Sequence, residues 1–181
     1  MAAARHDQKA FRVLFRRYHP RVFAYVAARV GSADDADDIA ADVFVRVVDG
    51  LPGFEYRGPG SFSAWVFRIA YHEVVQHVRR YRLRDVPIDD LPEIAGGDTG
   101  PEHALQRKER FAAVRRAILR LPPRQQEVVS MRYFAGVRNR EIAEALGIDE
   151  RTVASTIIRA LENLRLTLRP ELASWVEDRV D

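Results

Sequence analysis

Two stretches of this chain carry side chains at spacings that could do chemistry. In HEVVQH, His72 and His77 flank Glu73 and Gln76. A helical zinc-protease site needs its two histidines four apart, so that both point to one face. This pair is five positions apart, which turns them by roughly 140° at about 100° per residue. No third ligand is evident and the chain has no cysteine, so neither a metal site nor a disulfide framework is expected. No nucleophile stands beside a general base, and the sequence predicts neither enzyme activity nor a cofactor.

The second stretch is NREIAEALGIDERTVASTIIRALENLR, residues 139–165. Two short helical patterns meet at Gly147. Ala143 suits a close helix crossing, and Gly147 suits the turn. Ile142, Leu146, Ile148, Val153, Ile157 and Leu161 form the expected shared core. Arg138 or Asn139 bounds the first helix, and Asp149 can cap the second. The outer side of that second helix carries Arg151, Thr152, Ser155, Ile158 and Arg159. In a helix-turn-helix this is the side that meets base edges in the major groove. An ordinary helical hairpin gives the same apolar spacing.

The elements that must position these residues are all helical. The 181 residues are 47% apolar and carry a formal net charge of +3. Lys9 and Lys108 are the only lysines, so the cations are nearly all arginine. Its planar fork fits phosphates and guanine edges, although a GC-rich genome gives the same bias. No apolar run approaches the roughly 18 residues of a membrane helix, and the N-terminus lacks the apolar stretch of a signal peptide. A cytoplasmic protein with no direct membrane insertion is expected.

Phe11, Leu14, Phe15, Tyr18 and Val22 give a first helix one apolar face, which Pro20 should kink or interrupt. Gly31 ends it, and Ser32 can cap the next. There Ile39, Ala40, Val43, Phe44 and Val47 share one side, with Asp35, Asp38, Asp42, Arg46 and Asp49 on the other. A third stretch, SFSAWVFRIAYHEVVQHVRRYRLR, ends in Arg79, Arg80, Arg82 and Arg84. DVPIDDLPEIAGGDTGPEH then reads as a linker, either joining modules docked on separate turns of DNA or letting two domains fold against each other. The expected fold class is all-α: two small helical domains, 1–84 and 104–170, joined by a flexible linker over 85–103, with the helix-turn-helix in the second. A tail covers 171–181.

LPPRQQEVVSMRYFAGVRNREIAEALGIDERTVASTIIRALENLR resembles the minus-35-reading domain of bacterial extracytoplasmic-function (ECF) sigma factors. FRRYHPRVFAYVAARVGSADDADDIAADVFVRV is similar to the core-polymerase-binding region of the same family. GSFSAWVFRIAYHEVVQHVRR is similar to the segment that melts and reads the minus-ten element. The resemblance covers nearly the whole chain, with both domains in order. It implies a transcription initiation factor that binds core RNA polymerase, directs it to promoter DNA, and is held by an anti-sigma factor.

Residue by residue, the resemblance implies polymerase docking by Asp35, Asp38, Ile39, Asp42 and Arg46. It implies minus-ten contacts by Phe62, Trp65, Arg68, Tyr71, His72, Arg79 and Arg80, with core packing the other reading of Trp65. It implies minus-35 contacts by Arg138, Arg151, Thr152, Ser155, Ile158 and Arg159. Several positions depart from the family pattern. Residues 40–43, Ala-Ala-Asp-Val, stand where VQET or VQEV is usual. Tyr71 and His72 replace arginine–asparagine, and Gln76 replaces aspartate. Arg151 replaces a glycine, while Ala154 and Thr156 replace basic residues, so two DNA contacts are lost or moved. A stand-alone helix-turn-helix regulator is the rival reading. The acidic stripe and SFSAWVFR discriminate, because a simple repressor needs neither.

Overall fold

A computed structural model describes residues 8–30, 32–82 and 101–170. Within these, the linker reading over 85–103 is represented only by its last three residues, and the tail reading over 171–181 lies outside. The chain forms α1 (Gln8–Ala27), α2 (Ala33–Gly50), α3 (Ser61–Arg82), α4 (Pro101–Leu119), α5 (Pro123–Val129), α6 (Asn139–Leu146) and α7 (Glu150–Thr167). No strand occurs among the described residues, as the all-α reading expects.

Local chemistry explains most boundaries. The Ser32 hydroxyl accepts from the Asp35 amide at 3.0 Å and caps α2. Asp34 and Asp35 then lie at the positive end of its dipole. Pro101 opens α4, a position where its missing N–H costs nothing. A short 3-10 turn, Leu51–Gly53, closes α2, and α5 runs into a wide turn at Ser130–Phe134.

Pro20 does not interrupt α1, which continues to Ala27. A proline at this point deprives the Arg16 carbonyl of its helical donor, and both residues are solvent-exposed. Water can replace the missing partner there, which keeps the penalty tolerable.

On α1, Tyr18 and Val22 are buried and Phe11 and Leu14 half-buried, but Phe15 departs from expectation and is 36% exposed. The predicted faces of α2 and the hairpin are largely buried. Ile39, Ala40, Val43, Phe44 and Val47 of α2 pack against α1 and α3. In the hairpin, Ile142, Ala143, Val153 and Ile157 are buried, with Leu146 and Ile148 packed at the margin. Leu161 departs from expectation and is 42% exposed. Ala160 and Leu164 face inward instead, onto a second cluster with Ile118, Leu121 and Val129. The stripe therefore shifts around α7 where its packing partner changes.

One apolar core joins the two described halves. Val22 and Tyr25 of α1 and Val66 and Phe67 of α3 share it with Val128, Met131, Val137 and Ile142 of the C-terminal half. Helix α6 lies along α3, and the two halves fold against each other.

Candidate nucleic-acid and polymerase interfaces

Helix α2 presents an acidic outer face. Asp38, Asp42 and Asp49 are exposed, joined by Asp34 and Asp37. Val45 and Val48 are also exposed, at 59% and 48%, so the face is an acidic stripe with an apolar seam. The sequence reading passed over those two valines, although their helical spacing places them outside the buried side. Asp35 is half-buried and faces His77 of α3 at 3.8 Å. Arg46 pairs with Glu73 at 2.6 Å. Its side chain stays 56% exposed, whereas that of Glu73 is only 7% exposed, so Arg46 reaches solvent while compensating a buried carboxylate. Ile39 is different: it is buried against the core and presents no side chain to a partner. An apolar residue on the inward period packs first.

On α3, Trp65, Arg68, His72, Gln76 and Arg79 follow one another at three- or four-residue steps, so they share one side of the helix. Tyr71 is half-buried beside exposed His72, with ring centroids 5.3 Å apart. Arg79 and Arg80 are exposed. Phe62 is 5% exposed and stacks edge-on against Tyr18 and Phe54. It is a core residue and cannot receive an unpaired base in this conformation. Trp65 is half-buried on Phe54 and Phe62. A Cβ at Gly50 would come within 2.9 Å of its ring. Arg68 has left its own helix: its guanidinium donates to the Glu144 and Ala145 carbonyls at the end of α6.

His72 and His77 do not converge. The first is exposed beside Tyr71, and the second turns toward α2. No group of three metal-ligating side chains occurs among the described residues.

The hairpin positions the third set. Gly147 adopts φ +65° in the turn between α6 and α7, a conformation that L side chains resist. The Glu141 carboxylate accepts from the Arg138 amide at 3.0 Å, closing the start of α6. Of the two boundaries left open, Arg138 is the cap and Asn139 the first helical residue. Asp149 occupies the cap position of α7, but its side chain makes no capping bond. Arg151, Thr152, Ile158 and Arg159 are exposed on the outer side of α7, with Ser155 half-exposed among them. Arg138 is exposed at the start of α6. Thr156 is 7% exposed and faces inward. The position where the resemblance expects a basic contact is thus turned to the core, and Ala154 beside it is half-buried.

Residues 14–84 match the family model for sigma-70 region 2, and residues 111–164 match the model for sigma-70 region 4. The chain is 30% identical over 177 residues to the RNA polymerase sigma-H factor of Pseudomonas aeruginosa, covering 93% of this chain and 91% of that protein. The chain belongs to the extracytoplasmic-function RNA polymerase sigma factors.

The ECF RNA polymerase sigma factor BldN of Streptomyces coelicolor is 30% identical over 159 residues; the match spans 87% of this chain and 60% of BldN. CnrH, solved in complex with the cytosolic domain of CnrY, shares the fold at a TM-score of 0.71 and 24% identity, over 93% of this chain and 94% of CnrH. The sigma factor's α2 and α3 fall within the region 2 match, and its α6 and all but the last three residues of α7 within region 4. A stand-alone regulator is not favoured, because region 2 accounts for the N-terminal half. Among the described residues, no helix is long and apolar enough to cross a membrane.

Proposed function

We propose that this sigma factor divides its work among three faces. The acidic stripe of α2, with Asp38 and Asp42 at its centre and Val45 and Val48 as its apolar seam, docks on a basic helical surface of core RNA polymerase. Charge complementarity across such an interface sets orientation and excludes wrong partners. The side of α3 that carries Trp65, Arg68, His72 and Arg79 takes the displaced minus-ten strand. Unpaired bases stack on the aromatics, and arginine holds the backbone. The outer side of α7 reads the minus-35 element through Arg151, Thr152, Ser155, Ile158 and Arg159, with Arg138 on a phosphate.

The exposed outer face of α7, presented by the Gly147 turn, supports this reading most directly. Melting needs no stored energy, because flipped bases gain stacking and pocket contacts. The protein acts in the cytoplasm, carries out no catalysis of its own, and is held inactive by an anti-sigma partner.

Two charge reversals test the division. Asp38→Arg, on the exposed side of α2, should weaken core-polymerase binding about 30-fold or more, the equivalent of roughly 2 kcal/mol at an interface charge. Arg159→Glu should leave core binding intact and lower minus-35-dependent transcription. Normal polymerase binding by Asp38→Arg would remove α2 from the proposed dock.

A further inference from the structure

Helix α2 ends on a glycine that its backbone does not require. Gly50 is the last residue of α2, and its φ of −83° and ψ of −13° lie in the right-handed region. The glycines that need a positive φ are Gly58, Gly60, Gly136 and Gly147 among the described residues. At an ordinary helical position glycine costs conformational entropy that alanine does not. What Gly50 supplies is room. A Cβ there would lie 2.9 Å from Cζ2 and 3.5 Å from Cη2 of Trp65. Gly53, three residues on, is different, since a Cβ there meets nothing within 4 Å.

The indole has no free space on the core side. It leans on Phe54 and Phe62, with ring centroids 4.9 and 5.7 Å away. Both phenylalanines are buried, and Phe62 is itself held edge-on by Tyr18 and Phe54. The half-buried Trp65 ring is thus wedged between the end of α2 and an aromatic cluster. It also helps line a cavity of about 290 Å³ with Phe54, Arg57, Ser61 and Arg68. Carbon atoms in contact sit about 3.5–4.0 Å apart, so a methyl group at position 50 must drive the ring back by at least about 0.5 Å. The packed phenylalanines block retreat into the core. The displacement therefore goes outward, on the side of α3 assigned to the minus-ten strand.

We propose that Gly50 is a positioning residue for promoter opening: its missing side chain seats the edge of the Trp65 indole and holds the ring in the orientation that stacks on an unpaired minus-ten base. The proposal rests on the strand-binding role given to Trp65 above. Seating and role are read out separately.

Gly50→Ala favours the helix and burdens only the ring. Trp65 and Trp175 are the two tryptophans of the chain, so Trp175→Phe on the full-length protein leaves Trp65 as the sole reporter. On that background Gly50→Ala should shift the emission maximum to longer wavelength and raise quenching by acrylamide, with the far-ultraviolet circular dichroism retained. In the holoenzyme, Gly50→Ala should lower promoter opening, measured with a single-strand-specific probe, about fivefold or more, on the scale of coupling between touching residues. Trp65→Phe removes the indole edge that a methyl group would meet. On the Trp65→Phe background, Gly50→Ala should cost no further opening. Unchanged emission and quenching overturn the seating. An equal loss of opening on both backgrounds overturns it too, because the glycine then acts through the backbone. Shifted emission with full opening overturns the positioning role. If Gly50→Ala loses helix, recovery of the fold on the Trp65→Phe background assigns the loss to the ring, and persistent misfolding overturns the proposal. Normal opening by a Trp65→Ala holoenzyme would overturn the minus-ten role of Trp65 itself and leave the seating result standing.

Discussion

Phe62, Trp65 and His72 occupy one helix and meet three environments. Phe62 is enclosed by Tyr18, Phe54 and Trp65, Trp65 is half-buried, and His72 is exposed. Aromatic type alone does not separate a packing residue from a base-stacking one, since both uses bury a flat ring. The helical period helps only in part: at about 100° per residue Trp65 and His72 lie roughly 20° apart on α3, and Phe62 is turned roughly 60–80° from them, toward Tyr18 and Phe54. The expected consequence is a clean division of phenotypes. Phe62→Ala should cost about 3–5 kcal/mol, visible as a large drop in the denaturation midpoint. His72→Ala should leave that midpoint within about 0.5 kcal/mol and lower promoter opening by the holoenzyme, measured with a single-strand-specific probe. A His72→Ala protein with full opening activity would remove this residue from the strand-binding side.

At the scale of elements, the helices are legible because burial follows period. The inward sets of α2 and the hairpin can be counted off the sequence, and Ser32 marks a start with its own side chain. Pro20 and Leu161 mislead for opposite reasons. A proline's cost depends on whether water reaches the freed carbonyl, and a stripe's continuation depends on which partner the helix meets next. Gly147 is legible as a turn, and its φ of +65° says what replacing it costs. No atom lies within 4 Å of a Cβ built there, so Gly147→Ala should lose roughly 1–2 kcal/mol from backbone conformation alone; chemical denaturation measures it. His77 gives α2–α3 packing a pH dependence. Burial lowers its pKa below the ordinary value of about 6.5, and nearby Arg80 acts in the same direction, while Asp35 opposes them. The folded state resists protonation that the unfolded chain accepts. The contribution is therefore complete above about pH 6.5 and is lost as pH falls from there through the lowered folded value. Compared with His77→Gln, the natural protein should show the steeper loss of stability over that range.

At the scale of the molecule, little of the arrangement between the halves is visible in the sequence. Arg29 and Glu127 form a buried ion pair across 98 positions, and neither belongs to a periodic pattern that demands the other. Val22 and Ile142 read as core residues of separate units, yet they share one core. Apolar spacing specifies that a face is buried, and it is silent on what covers it. The surfaces turned to solvent are better specified, because charge and exposure coincide on the outer side of the hairpin. Arg138, Arg151 and Arg159 are all exposed there. Each arginine that neutralises a phosphate releases condensed counterions, so promoter affinity of the holoenzyme should fall as salt rises. Replacing such an arginine with alanine should reduce the slope of log affinity against log salt by about 0.9. Arg138→Ala should show this reduction with promoter preference unchanged, since a phosphate contact carries no sequence information. Arg151→Ala, at the start of the recognition helix, should weaken binding and also relax preference at one minus-35 position, by about 1–3 kcal/mol between bases. Titrations of the holoenzyme on promoter and scrambled duplexes at several salt concentrations separate the two effects. A salt slope that stays the same in Arg138→Ala removes that residue from the phosphate-contacting set, and equal losses on both duplexes in Arg151→Ala make it a backbone contact rather than a reader of bases.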